Sequence, residues 1–297
     1  MIQLPLWTLK TSRLLVFGNL WVALCAVSLY WCTALIHSLE INVFLSLSIF
    51  SATVFIYNYH RLFRKKIIYA KVRSERHEWI LQHKRMLRAL AYISLIAAIG
   101  FFVPYLNVTL FLRVSPFLAL ALFYVIPLWK SGGKWLRVRD IPFIKIFLVA
   151  AVWSFVTVFL PFLVDDPEWL PNLGSWHTIV QRFIYIFAIT IPFDIRDLEH
   201  DKASGLTTFA GKFGVSNAKK ISEVLLIIVA LICFSAAHFG FYTYGSAIGM
   251  ILSCLVTGLF ISKIDENSSE WMYAGLLDGT MFDQFIWVLM IGSLMAF

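Results

Sequence analysis

The chain has 297 residues, of which 60% are hydrophobic and only 14% charged, with a formal charge of +8. A soluble globular chain carries roughly 45–50% apolar and about 25% charged residues, so this composition excludes one and points to an integral membrane protein. No nucleic-acid partner is expected; the positive excess is read by where it falls along the chain.

About 20 apolar residues are needed to cross the hydrocarbon core of a bilayer. Nine stretches meet that need: 14–36, 41–60, 87–106, 108–128, 142–163, 177–195, 218–238, 242–261 and 279–297. The first is too long for a signal-peptide core and no small-residue cleavage site follows it, so it is read as a retained helix. No soluble domain or low-complexity tract interrupts the series, and 1–297 reads as one transmembrane domain. With a cytoplasmic N-terminus, only Arg113 and Arg182 of the 25 Lys and Arg residues fall toward the other side. The positive-inside rule therefore places the N-terminus and the connections 61–86, 129–141 and 196–217 in the cytoplasm, as in a bacterial-type inner membrane. The 164–176 connection, with Asp165, Asp166 and Glu168, becomes external. Irregular backbone at membrane depth must be covered by protein or line a wet cavity. The expected fold is an all-α integral membrane bundle of about nine transmembrane helices around one cavity opening to the cytoplasm.

The four cysteines, Cys25, Cys32, Cys233 and Cys254, lie in apolar spans without a C-x-x-C pair and read as small buried hydrophobes. His77 and His83 stand six residues apart beside Glu75 and Glu78, which is not zinc spacing; an interfacial amphipathic segment is expected there. Asp278 and Asp283 flank the start of the last span, the first suited to capping, the second to facing a cavity.

The most informative run is Asp194-Ile195-Arg196-Asp197-Leu198-Glu199-His200-Asp201-Lys202, directly after an apolar span. Spacings of three and four place the three aspartates on one face of a helix. Carboxylates converging on one volume repel unless a cation sits among them, and hard oxygen ligands select Mg²⁺ or Ca²⁺. A Mg²⁺ held by Asp194, Asp197 and Asp201 could bridge to a diphosphate, with Arg196 and Lys202 neutralising its remaining oxygens. The alternative is a solvated helix end with balancing charges. Three acids at a membrane edge favour a functional site. A second polar motif, Asn58-Tyr59-His60-Arg61, closes an earlier span before a loop of similar length, a faint echo of the first.

The pattern Asp194-x-x-Asp197-x-x-x-Asp201-x-x-x-Gly205-x-x-Thr208, followed by Lys212-Phe213-Gly214, resembles the second aspartate-rich motif of the UbiA-type intramembrane prenyltransferases. Tyr124-x-x-Pro127-x-x-Lys130 resembles that family's tyrosine/lysine segment, and the nine-span layout extends the likeness over nearly the whole chain. The resemblance implies a Mg²⁺-dependent transferase that ionises an isoprenoid diphosphate and passes the prenyl group to a lipophilic, often aromatic, acceptor within membrane lipid. It assigns the metal to Asp194, Asp197 and Asp201, donor positioning to Tyr124 and a residual first-motif role in substrate binding to Asn58; Arg196, Lys202 and Lys130, with Arg61 under one of two readings, are the diphosphate contacts.

The family's first motif, N-x-x-x-D-x-x-x-D, is met only by Asn58; Leu62 and Lys66 stand at its aspartate positions. Two readings of this basic run stay open. Arg61, with Arg64 or Lys65, contacts the diphosphate in place of a metal, or these residues are positive-inside anchors. A terpene cyclase of the same fold and a catalytically silent prenyl-diphosphate binder are the rival functions. A CDP-alcohol phosphotransferase would need an upstream D-G-x-x-A-R segment, and none precedes residue 194.

Overall fold

The computed structural model describes residues 6–62, 75–126, 129–131, 134–136, 138, 141, 143–199, 201 and 207–294. Helix α1 (Leu6–Phe17) and helix α2 (Leu20–His37) divide what the sequence reads as one span. Asn19 between them sits at φ 65°, ψ 19°. That left-handed conformation is one Asn tolerates better than most residues, so the helix breaks there.

Helices α3 (Val43–Leu62), α4 (Glu75–Gln82), α5 (Lys84–Phe102) and α6 (Val108–Val125) follow. Strands β1 (Trp129–Ser131) and β2 (Lys134–Leu136) then form a small antiparallel hairpin with Lys130 opposite Trp135, inside the connection expected to be loop. Helix α7 (Ile144–Ser154) runs through a π-helical turn at Phe155–Phe159 into α8 (Leu160–Asp165). After α9 (Leu173–Arg196) come α10 (Phe209–Phe213), α11 (Val215–His238) and α12 (Tyr244–Lys263). A second π-helical turn, Met272–Leu277, leads into α13 (Asp278–Leu294).

Among the described residues, 8 helical rods are long and apolar enough to cross a membrane. They match eight of the expected spans, and the ninth, 108–128, forms α6, which carries Pro116 inside it. The protein is an all-helical integral membrane bundle. Its outer face is apolar: Ile96 is 73% exposed and Val108 77%. Such surface is costly against water at about 25 cal/mol per Å², and lipid removes that cost.

Helix α9 is the buried axis of the bundle, flanked by α7 and α11. Its inner face turns Thr178, Gln181, Arg182, Tyr185, Ile189 and Pro192 inward. The Tyr185 hydroxyl lies 3.2 Å from Thr257 Oγ1 and donates to the Thr280 carbonyl at 3.1 Å, tying α9 to α12 and α13. One turn away, the amide oxygen and nitrogen of both Gln181 and Gln284 are enclosed without a hydrogen-bond partner among the described residues. Arg182 is fully buried beside them in the chain, and its Nη2 reaches Thr33 Oγ1 at 3.4 Å.

Helices α12 and α13 approach most tightly at Gly249, where an added Cβ would lie 2.8 Å from the Trp287 carbonyl carbon and oxygen. Small residues at such crossings let backbones pack directly, which drives helix association where lipid supplies no hydrophobic force. The end of the bundle remote from Asp194 is joined by His37 Nε2 to Thr178 Oγ1 at 2.6 Å, and by Thr178 to the Tyr242 hydroxyl at 2.8 Å. A cavity of about 430 Å³ opens at that remote end, lined by Tyr30, Glu40, Asn42, Phe44 and Asp165 among others.

Candidate functional site at the aspartate end of the bundle

Asp194 lies in the last turn of α9, and Asp197 caps that helix at φ −88°, ψ 3°. The Asp194 side chain is 2% exposed, so its two oxygens need protein or ligand partners. Lys145 Nζ, at the start of α7, donates to Asp194 Oδ1 at 3.1 Å. The Phe209 backbone N–H donates to Asp194 Oδ2 at 3.2 Å. Phe209 opens α10, whose N-cap Thr208 accepts from the Gly211 N–H through Oγ1 at 3.3 Å. The far end of the aspartate-rich run is thus folded back onto its first carboxylate. Gly214 closes α10 at φ 81°, a conformation that favours glycine, and starts α11.

Lys145 Nζ also stands 3.8 Å from Asp197 Oδ2. Arg196 grips Asp197 with two hydrogen bonds, Nε to Oδ1 at 2.9 Å and Nη2 to Oδ2 at 3.2 Å. The same guanidinium lies 5.0 Å from the Phe193 ring and 5.7 Å from that of Tyr273, within cation–π range. Its Nη1 is 3.7 Å from Glu270 Oε2.

Glu270 is shared. Arg76 Nη1, from α4, stands 3.8 Å from the same oxygen. Arg76 Nη2 donates to Asn19 Oδ1 at 2.8 Å and to the Val16 carbonyl at 3.2 Å. The Asn19 amide donates in turn to Asn58 Oδ1 at 2.9 Å. Asn58 Nδ2 is directed at the Gly18 and Val54 carbonyls, each at 3.0 Å. Burial pushes the Arg76 guanidinium well below the usual arginine range. Arg61 and Arg196 push the same way, while Glu270 and Asp278 oppose them.

A continuous polar chain therefore joins the end of α3 to the end of α9: Asn58, Asn19, Arg76, Glu270, Arg196, Asp197, Lys145, Asp194. The sequence-expected residues distribute as follows. Asp194, Asp197 and Arg196 come together. Arg61, next to the last residue of α3, acts electrostatically on Arg76 and Asp278. Asn58 is 1% exposed and joined to Asn19. Asp201 is 4% exposed, and its backbone N–H donates to the Asp197 carbonyl at 2.8 Å. Lys130 is exposed on β1. Tyr124 belongs to α6, but its side chain, like Lys202, Gly205, Arg64, Lys65 and Lys66, lies outside the described residues.

Sequence reasoning missed Lys145, Arg76, Asn19 and Glu270. Lys145 carried a usable signal, a charge just inside a predicted span, which marks a site by default. Arg76 carried none, because its partners are 57 and more residues away in sequence.

Among the described residues, no group of three or more His, Cys, Asp or Glu side chains is placed to hold a metal ion. Asp194 and Asp197 nevertheless share one cation, the Lys145 ammonium. Two hard carboxylates around one positive charge fit Mg²⁺ chemistry, with ligands from substrate and water completing its shell.

No family model and no curated protein matches the chain. Solved structures do. A UbiA homolog from Archaeoglobus fulgidus bound to GPP and Mg²⁺ is similar with a TM-score of 0.64 and 14% identity, over 95% of this chain and 99% of that one. An apo UbiA homolog from Aeropyrum pernix K1 gives 0.60 and 14%, over 92% and 95% of the two chains. A digeranylgeranylglyceryl phosphate synthase gives 0.54 and 12%, over 95% and 96%. Likeness at this identity concerns architecture, and it spans essentially the full length of both partners: the chain has the UbiA-type fold.

Proposed function

We propose that this protein is a membrane prenyltransferase that takes an isoprenoid diphosphate as donor and a lipophilic acceptor, with the aspartate end of the bundle in the cytoplasm. The observation that carries this reading is the convergence of Asp194 and Asp197 on the shared Lys145 ammonium at a buried helix end, with Arg196 on the other side of Asp197, in a fold shared with a structure bound to GPP and Mg²⁺. Asp194 and Asp197 would hold Mg²⁺, whose charge would offset that of the departing diphosphate; Asp201, in the following turn, forms no three-carboxylate group with them.

The chain's own residues do the rest. Arg196, oriented by Asp197, presents a fixed guanidinium edge to phosphate oxygens. Arg61, Lys130 and Lys202 add positive charge around the diphosphate, and Tyr124 positions the donor. Asn58 locks the end of α3 to Asn19, so that the Arg61 side of the site is held in place. Ionisation of the allylic C–O bond leaves diphosphate and a carbocation; the acceptor's electron pair forms the new C–C or C–O bond and its proton departs. The apolar helix interior excludes the water that would quench the cation.

A silent-binder reading is favoured by one observation, the leucine and lysine at positions 62 and 66 where the family carries aspartates. Membranes holding the protein, supplied with radiolabelled prenyl diphosphates and Mg²⁺, separate the two. Diphosphate release by wild type and not by Asp194→Asn or Asp197→Asn is the expected result. Binding without release, unchanged in both variants, favours the silent binder. Release without any acceptor and with a cyclic product identifies the cyclase.

A further inference from the structure

Lys145 is the cation that Asp194 and Asp197 share, while Asp197 is also held by Arg196. Its ammonium is 3.1 Å from Asp194 Oδ1 and 3.8 Å from Asp197 Oδ2, and its side chain is 25% exposed. Asp194 is 2% exposed and Asp197 20%. A carboxylate as enclosed as Asp194 cannot stand ionised without a counter-charge. Repulsion between like charges disfavours a divalent ion and an ammonium at contact distance between the same two carboxylates. Lysine and metal therefore compete for the space between Asp194 and Asp197.

We propose that Lys145 is the resident counter-ion of the Asp194–Asp197 pair and exchanges with the divalent metal, so that Lys145 sets the metal affinity of the site. An ammonium displaced by metal would stay on the first turn of α7, within reach of a bound diphosphate. There it becomes a positioning residue for the donor. Metal binding is then favoured when diphosphate is present to receive the displaced lysine, and disfavoured when it is absent. Such a linkage keeps the two carboxylates neutralised before any donor arrives. This inference rests on the metal reading of the proposed function.

The test uses the full chain in detergent with Mn²⁺ as probe, read by the electron paramagnetic resonance of free ion, with and without inorganic pyrophosphate. Lys145→Gln and Lys145→Met should bind Mn²⁺ alone about fivefold to tenfold more tightly than wild type, the change expected on removing a half-buried competitor. Lys145→Arg, which restores a cation, should return to the wild-type value. Pyrophosphate should tighten Mn²⁺ binding strongly in wild type and less in Lys145→Gln. Because neutralising Lys145 could disturb folding, each variant's thermal midpoint is followed, and added Mn²⁺ should raise it more for Lys145→Gln than for wild type. Equal or weaker Mn²⁺ affinity in Lys145→Gln overturns the exchange while leaving the transferase reading standing. Mn²⁺ binding that ignores Asp194→Asn, or no binding by any form, overturns the metal reading and the exchange together.

Discussion

The Asn19 carboxamide donates to the Asn58 Oδ1 at 2.9 Å, joining the break between α1 and α2 to the end of α3. Both residues are essentially without solvent exposure. The Asn58→Ala variant leaves the Asn19 amide and the Gly18 and Val54 carbonyls without this partner. A buried group stripped of its partner costs about 1–3 kcal/mol. Unfolding in a graded detergent series should show that loss, and the folded fraction should retain donor affinity. A loss of donor affinity without a loss of stability would instead make Asn58 a direct ligand.

Glu270 is the shared anion of Arg76 and Arg196, at 3.8 and 3.7 Å. Removing one member of a buried ionic cluster costs about 3–5 kcal/mol, because the others are left uncompensated; here the groups are partly hydrated, and about half of that is expected. Glu270→Gln should therefore lower the thermal midpoint clearly, and Glu270→Asp only slightly. Arg196 keeps its hold on Asp197 in both, so diphosphate affinity should fall less than stability.

Gly249 faces backbone atoms of Trp287 at 2.8 Å from where a Cβ would stand. Neither atom belongs to a flexible side chain, so α12 and α13 must part to admit a substituent. Gly249→Val should cost more than about 2 kcal/mol, within the range for overpacking, and shift the Trp287 fluorescence. Gly258→Ala meets only the Leu226 side chain at 3.9 Å and should be neutral by the same assay.

Among the described residues, the enclosed amides of Gln181 and Gln284 have no hydrogen-bond partners. Replacing a buried, unpaired polar group by an apolar one of similar length removes its desolvation penalty. Gln181→Met and Gln284→Met should each raise stability, by about 1 kcal/mol. A fall in stability would show that these amides are hydrogen-bonded in the folded protein.

Thr208 caps α10 and holds Phe209 where its N–H meets Asp194. Thr208→Val removes the cap at a cost of about 1 kcal/mol and loosens that contact. Turnover of donor should drop while Thr208→Ser stays near wild type.

Much of the fold was legible because a bilayer demands long apolar runs, and each run that the sequence offers became a helix. What was hidden depends on single residues. The Gly18–Asn19 break could not be seen because its neighbours are apolar on both sides. The two π-helical turns leave no mark in composition. At the site, Asp194, Asp197 and Arg196 were legible from local spacing, since they lie within one turn of one helix. Lys145 carried only the signal of a charge inside a span and Arg76 none, because their roles arise only when α7 is brought against α9 and α4 against α1. The same applies to the folding back of Phe209 onto Asp194, which spacing alone does not announce.

The polar chain from Asn58 to Asp194 has a consequence for how variants combine. Each interior member is held from both sides, so no substitution along it acts on one neighbour only. Double-mutant cycles between Asn58 and Lys145, which belong to α3 and α7, should return interaction energies well outside the about 0.3–0.5 kcal/mol scatter of independent sites. Substitutions at the two helix ends will be epistatic, and the loss from a pair will not be the sum of its parts.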